Sequence, residues 1–173
     1  MKAGRSWAAV AILLLFVPGM AQSASENHRQ SLRGLTGVTV RLESADAAAR
    51  QAGVTVQAIS KIVADKLAQA GIKVSASRTD PAPGNAVLYV CVRTSLIAAA
   101  SAYVPVYTAK VTVALLQDAV AARDATLNLG EAKTWDAGFV TAYSRADLPK
   151  ANNVVGDLVD EFVNDWRAVN PNR

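Results

Sequence analysis

The chain has 173 residues and a mass of 18.1 kDa, a size typical of a single domain with its own hydrophobic core. Because 51% of the residues are apolar and only 18% are charged, the composition excludes a wholly disordered, collagen-like or coiled-coil chain. The net charge is +4, but without Lys2 and Arg5, which we interpret as part of a leader, 16 basic and 14 acidic residues give a net charge of +2. A charge this close to neutral does not indicate nucleic-acid binding.

The first residues have the three-part layout of a secretory signal peptide. Lys2 and Arg5 precede an eleven-residue apolar stretch, Trp7–Val17. That stretch is shorter than the roughly 20 residues that a membrane-spanning helix needs, so we interpret residues 1–21 as a leader cleaved after Ala21, with an uncleaved anchor as the alternative. The expected mature protein is periplasmic or secreted and has no transmembrane segment.

Residues 22–31 are polar, include the single histidine, His28, and show no periodicity. This pattern predicts a flexible tail that precedes a single domain over residues 32–173. Apolar and polar residues then alternate over 38–42, with the period of two expected of a strand that has one buried face.

The following segments predict a β-α-β unit. Apolar residues recur at helical spacing over 56–70, Thr55 is placed to be the N-cap, and Gly71 is the usual left-handed residue after a helix end. A short strand over 72–76 follows. Lys66 falls inside the apolar stripe, where its methylenes are expected to lie along the core and its ammonium to reach water; a buried functional amine is the alternative.

The second half of the chain predicts three more strands and one more helix. The strands cover 86–94, 106–120 and 134–143, and short connections make them an antiparallel meander. The helix covers 154–169, with Asp165 on its solvated side. The sequence therefore predicts an α+β fold, a two-layer sandwich in which a mixed sheet of about five strands carries both helices on one face.

The sequence contains no known catalytic motif, neither a glycine-rich phosphate loop nor a GxSxG, HExxH or CxxC pattern. Cys91 is the only cysteine, and its strand-like surroundings predict a buried thiol rather than a nucleophile. We therefore expect no enzyme activity, no cofactor and no metal site. The alternative is a calcium or acid-base site formed by Asp118, Asp124 and Asp136.

The segment 95–107 carries no charge and lies between two predicted antiparallel strands. One interpretation is an apolar hairpin tip that contacts a membrane, a hydrophobic ligand or another subunit, with Ile97, Tyr103 and Tyr107 as binding residues. In the other interpretation the strands continue through the segment and pack under the helices. Pro105 favours an edge position or a bulge.

Three aromatic residues of the last predicted strand, Trp135, Phe139 and Tyr143, share parity and therefore one face of that strand. They are further candidate binding residues, because exported carbohydrate binders use such aromatic strips. A cell-wall or glycan binder is accordingly the second functional hypothesis. Trp166 lies on the apolar stripe of the last helix and is expected to be core.

Several segments together resemble a group of uncharacterised exported bacterial proteins: 32–40 (LRGLTGVTV), 70–74 (AGIKV), the pair Thr134 and Trp135, and 158–171 (LVDEFVNDWRAVNP). The element order is also similar to the small α/β domains of periplasmic envelope-assembly proteins, such as the N-terminal domain of the Tol system's β-propeller protein and the curli-secretion lipoprotein. The resemblance implies export and a shared fold, and it carries over no functional residue.

These observations predict a non-enzymatic periplasmic domain that binds another component of the cell envelope, through a sheet edge or through the segment 95–107. The expected partner is an envelope protein or a second copy of the chain, and no nucleic acid is expected.

Overall fold

The computed structural model describes residues 21–22, 26–43, 45–75, 86–97 and 105–172. Five strands form one mixed sheet in the order β2-β1-β3-β4-β5, namely β1 (Gly37–Leu42), β2 (Lys73–Ser75), β3 (Val87–Ile97), β4 (Val106–Ala121) and β5 (Asp124–Ser144). A two-residue strand, Ala21–Gln22, is added outside β5. The helices are α1 (Glu26–Gln30), α2 (Ala47–Gln51), α3 (Val56–Gln69) and α4 (Ala151–Val169), with a 3-10 turn at Leu148–Lys150. The predicted α+β fold with about five strands is confirmed.

The first half of the sheet is the predicted β-α-β unit, in which β1 pairs in parallel with β2 on one side and with β3 on the other. Helix α3 begins where the Thr55 hydroxyl accepts a hydrogen bond from the Ala58 N–H at 3.2 Å. It ends before Gly71, whose φ of 77° favours glycine. Its bounds agree with the prediction to within one residue. The connection between β1 and α3 also contains the short helix α2, which Asp46 caps.

Strands β3, β4 and β5 form the predicted antiparallel meander. The start of β5 differs from the prediction, because this strand begins at Asp124 instead of Thr134. Residues 124–133 pair with the far end of β4 and form with it a two-stranded arm, the β4–β5 arm (residues 116–133). The sequence does not show this part of the strand because both of its faces are largely exposed, so no period of two results.

Helices α3 and α4 contact each other and cover one face of the sheet, α3 over β1 and β2 and α4 over β4 and β5. The core between the layers includes Trp135 and Phe162, whose ring centroids lie 5.2 Å apart in an edge-to-face arrangement. Lys66 lies as predicted, since its Cε packs near Gly156 of α4 while its Nζ contacts Asp160 at 2.6 Å.

The N-terminal region differs from the prediction. Residues 26–30, which we expected to belong to a flexible tail, form helix α1, and Arg29 Nε donates to Asp165 Oδ1 of α4 at 2.8 Å. Asp165 is consequently 9% exposed rather than solvated. The sequence does not show this helix because five residues give no period and its main partner lies 136 positions away.

The expected leader lies outside the described residues, apart from Ala21. Across the ranges that the structure covers, none of the helices has the length and apolar character needed to cross a membrane.

Candidate functional site

The helices cover one side of the sheet, and within the described ranges no helix packs on the other side, here called the open face. Three surfaces are therefore available to a partner. They are the open face, the outer edge of β5, and the free end of the β3–β4 hairpin, here called the hairpin end (residues 95–97 and 105–107).

The hairpin end extends beyond the helix layer. Strand β3 continues to Ile97 and β4 begins at Val106, so both strands enter the uncharged segment. Their apolar side chains are not buried under the helices, because Leu96 is 58% exposed and Ile97 is 43% exposed. Tyr107 pairs with Leu96 across the strands and is half-buried. Tyr103 lies outside the described residues.

Trp135, Phe139 and Tyr143 share one face of β5, as their spacing predicts, and it is the face that the helices cover. Trp135 is 0% exposed, and its Nε1 donates to Asp165 Oδ2 at 3.0 Å. Phe139 and Tyr143 are partly buried against the core, and burial raises the pKa of the Tyr143 hydroxyl. A glycan would need an exposed ring on which to stack, and Trp135 offers none in this fold. Trp166 is buried as expected.

The open face carries a cluster of polar side chains that the sequence analysis did not single out. The Tyr89 hydroxyl donates to one carboxylate oxygen of Glu43, and Arg93 Nη2 donates to the other at 2.9 Å. The hydrogen bond from the Tyr89 hydroxyl contributes most, followed by those from Cys91 and Arg93, and together they lower the pKa of Glu43 to about 2. The sequence contains a signal for this cluster, namely the spacing of Tyr89, Cys91 and Arg93. Because side chains alternate along a strand, these three residues lie on the face opposite to the one that carries Leu88 and the other core residues of β3.

Cys91 is buried, as predicted. The residue is 7% exposed, and burial together with the neighbouring Glu43 carboxylate raises the pKa of its thiol, so the reactive thiolate is disfavoured. With Tyr89, Arg93, Lys110 and Thr112, this residue lines a shallow depression of about 180 Å³. The protonated thiol lies near a carboxylate, Glu43, that Tyr89 and Arg93 already hold, which is not the arrangement of an activated nucleophile.

The three carboxylates proposed as an alternative site do not converge as a metal-binding group in the fold. Asp124, on the arm, accepts from the Thr126 N–H at 2.9 Å and from the Thr126 hydroxyl at 2.7 Å. Asp136 accepts from Lys133 at 3.0 Å, and its other oxygen lies 4.0 Å from His28 Nδ1. Asp118 lies on the β4–β5 arm. In the part of the chain that the structure describes, no three His, Cys, Asp or Glu side chains are grouped to hold a metal ion.

The outer edge of β5 is the longest strand edge in the sheet. Ala21 and Gln22 pair with it in antiparallel register opposite Phe139 and Gly138. Nearby, the Ser31 hydroxyl donates to the Thr134 carbonyl at 3.1 Å. From residue 140 to the end of the strand, no described residue pairs with this edge.

In comparisons with known proteins, no family model matches the chain, and no curated protein shows significant sequence similarity to it.

Proposed function

We propose that the protein is an exported, non-catalytic binding domain that takes an extended segment of a cell-envelope protein onto the outer edge of β5. The observation that carries this proposal is the contrast between the two edges of the sheet. An edge strand exposes unpaired N–H and C=O groups, and proteins that must not pair there shorten the strand or add charges or proline.

The edge formed by β2 is protected in this way, because β2 has three residues and begins with Lys73. The other edge is not. Strand β5 has 21 residues, and its last part, residues 137–144, contains neither a charge nor a proline. Strand addition is a common mode of peptide recognition, in which backbone hydrogen bonds supply affinity and the side chains of the added segment supply specificity.

The pairing of Ala21–Gln22 supports the proposal further, since it places an extended segment on this edge. Removal of a leader after Ala21 takes away one of these two residues, so the proposed mature protein offers its edge from Phe139 onward. The leader-like sequence supports export, and the protonated, covered Cys91 and the separate carboxylates favour binding over catalysis.

The experiment replaces Ala142 with lysine, which adds a charge to the unprotected edge. The matched control is Ala125→Lys, another exposed alanine of β5 that lies in the arm. Each protein is tagged, produced with its leader in a bacterial host that encodes it, and crosslinked in cells before purification. A partner protein should be captured by the wild type and by Ala125→Lys, and at least about tenfold less by Ala142→Lys, because a desolvated charge opposes pairing. Equal capture by both variants contradicts the proposal, as does the absence of any captured protein.

A further inference from the structure

The β4–β5 arm consists of only two strands. Strand β3 begins at Val87, opposite Leu116, so among the described residues the part of β4 beyond this point pairs with β5 alone. Every residue from 122 to 131 is exposed. A two-stranded ribbon has little stability of its own in water and gains it from further strands or a packed face. The arm is therefore a part of this fold that would gain from pairing with another strand.

The outer edge of β5 in the arm can accept such a strand. No described residue pairs with this edge over residues 124–133. Residues 125–130 contain neither a charge nor a proline, which are the features that prevent pairing at an edge. Leu127 and Leu129 lie on this stretch and are 38% and 43% exposed. Exposed leucines on an unprotected edge indicate a surface for association.

The sequence of this edge is complementary to itself. A symmetric antiparallel pairing with its two-fold axis at Leu127 places Leu127 opposite its own copy. It also places Leu129 opposite Ala125 and Arg123 opposite Glu131 of the second copy. Because residues 125, 127 and 129 share parity, their side chains form one apolar patch across the joined strands. A pair of opposite charges closes each end of that patch.

The hydrogen bonding inside the arm is compatible with this register. The Thr126 N–H donates to Asp124 Oδ1 of its own chain at 2.9 Å. The register does not need this N–H, because a hydrogen-bonded pair at Leu127 uses the backbone groups of residues 125, 127 and 129.

The ion pair at the end of the segment is also compatible with the register. Glu131 accepts from both terminal nitrogens of Arg41, at 2.5 and 3.0 Å, yet its side chain is still 47% exposed. Because a carboxylate has about four lone-pair positions, Glu131 can accept from Arg123 of a second copy without releasing Arg41.

We propose that the edge of residues 123–131 is the interface of a symmetric dimer, in which β5 pairs in antiparallel register with β5 of a second copy. The two bodies lie at opposite ends of the joined arms, because the paired strands run in opposite directions. Residues 137–144 stay outside the paired region, so the dimer keeps both of its proposed binding edges. Nine residues from each copy form an interface at the small end of the range for specific complexes, so we expect a Kd of about 10–100 μM.

The first test is sedimentation velocity of the protein purified after export, at concentrations from about 2 to 400 μM, which bracket the expected Kd. We expect monomer at the lowest concentration and mostly dimer at the highest. Leu127→Lys places two ammonium groups opposite each other at the two-fold axis and should weaken the dimer at least about tenfold. Arg123→Glu should weaken it about fivefold, because the symmetric dimer contains the pair with Glu131 twice.

Two variants serve as matched controls. Val120→Lys adds a charge to the other strand of the arm, at a position that is 59% exposed. Lys110→Glu makes the same charge reversal as Arg123→Glu at an exposed position of β4 in the body of the domain. Both should dimerise like the wild type, and circular dichroism should show that all variants are folded.

A pair of cysteine variants tests the register. Leu127→Cys places two thiols opposite each other, with Cα atoms about 5.5 Å apart, a separation that a disulfide can bridge. Asn128→Cys places its thiol opposite Thr126 of the second copy and should crosslink at least about tenfold more slowly on oxidation with diamide. Cys91 is buried, so the wild type should not crosslink.

Three results overturn the proposal. They are a wild type that stays monomeric at the highest concentration, a dimer that Val120→Lys weakens as much as Leu127→Lys, and equal crosslinking of the two cysteine variants. The proposal is separate from binding at residues 137–144. Ala142→Lys should leave the dimer intact, whereas Ala125→Lys, opposite Leu129 of the second copy, should weaken it. A dimer that only Ala142→Lys dissociates assigns self-association to the other part of the edge and also contradicts the proposal.

Discussion

Replacement of Asp165 with alanine tests how the N-terminal helix is joined to the core. One carboxylate oxygen accepts from Arg29 Nε at 2.8 Å and the other from Trp135 Nε1 at 3.0 Å. Because Trp135 is 0% exposed, the substitution leaves its N–H buried without an acceptor, at a cost of about 1–3 kcal/mol. Loss of the ion pair with Arg29, whose side chain is 36% exposed, adds little, because solvent screens an exposed pair.

The expected decrease in the free energy of unfolding is therefore about 1–3 kcal/mol, which corresponds to a Tm lower by roughly 2–12 °C for a domain of this size. Urea titration and calorimetry measure both quantities. Arg29→Ala, which removes the ion pair and keeps the acceptor for Trp135, should cost clearly less than Asp165→Ala.

A double-mutant cycle with Trp135→Phe isolates the indole bond. In that background Asp165→Ala leaves no buried N–H without an acceptor, so the loss in free energy of unfolding should be smaller by about 1–2 kcal/mol. An Asp165→Ala cost no greater than that of Arg29→Ala, or a coupling energy near zero, refutes the reasoning from the buried donor.

Three further outcomes are expected. The pKa of Glu43 is lowered from 4.5 to about 2, so the stability that its ionised form provides is complete above about pH 4.5 and is lost as the pH falls toward 2. In urea titrations across this pH range, the free energy of unfolding of Glu43→Gln should therefore decrease less than that of the wild type. Parallel decreases in the two proteins would contradict this. Cys91 should react with a maleimide at pH 7 at least about tenfold more slowly in the native protein than in urea, and equal rates would show that the thiol is accessible. Gly37→Ala should lower the stability measured by thermal unfolding by about 1–3 kcal/mol, because a Cβ at this position would lie 2.8 Å from the Lys73 carbonyl oxygen. Gly138→Ala, whose Cβ would have its nearest contact at 3.4 Å, should cost clearly less in the same assay. Equal costs would show that the clash at Gly37 is relieved.

The parts of the fold that the sequence predicts correctly are those with local causes. Thr55 and Gly71 bound α3 through contacts within one helical turn, and the alternation in β3 and β4 follows from one covered face. The early part of β5 lies in an arm with two exposed faces, so its residues show no alternation, and only pairing with the distant end of β4 defines it.

The candidate surfaces were predictable to a smaller extent. The spacing correctly placed Trp135 on the same face of β5 as Phe139. It does not show which face the helices cover, and the Trp135 ring is buried because they cover this one. The polar cluster at Glu43 joins β1 to β3, 46 positions apart at Tyr89, so its members come together only once the parallel pair has formed. The charge-free segment was visible from composition, whereas the exposure of its described residues Leu96 and Ile97 depends on how far the helix layer extends.

The position of Cys91 has a consequence for the order of events around its sulfur during folding. Its strand partner is Thr112, so the cross-strand neighbour of the thiol lies on the next strand along the chain. Hairpins of this kind close within about 1–10 μs, whereas disulfides take seconds or longer to form. Pairing of β3 with β4 therefore places Thr112 beside the sulfur long before a disulfide with another thiol could form.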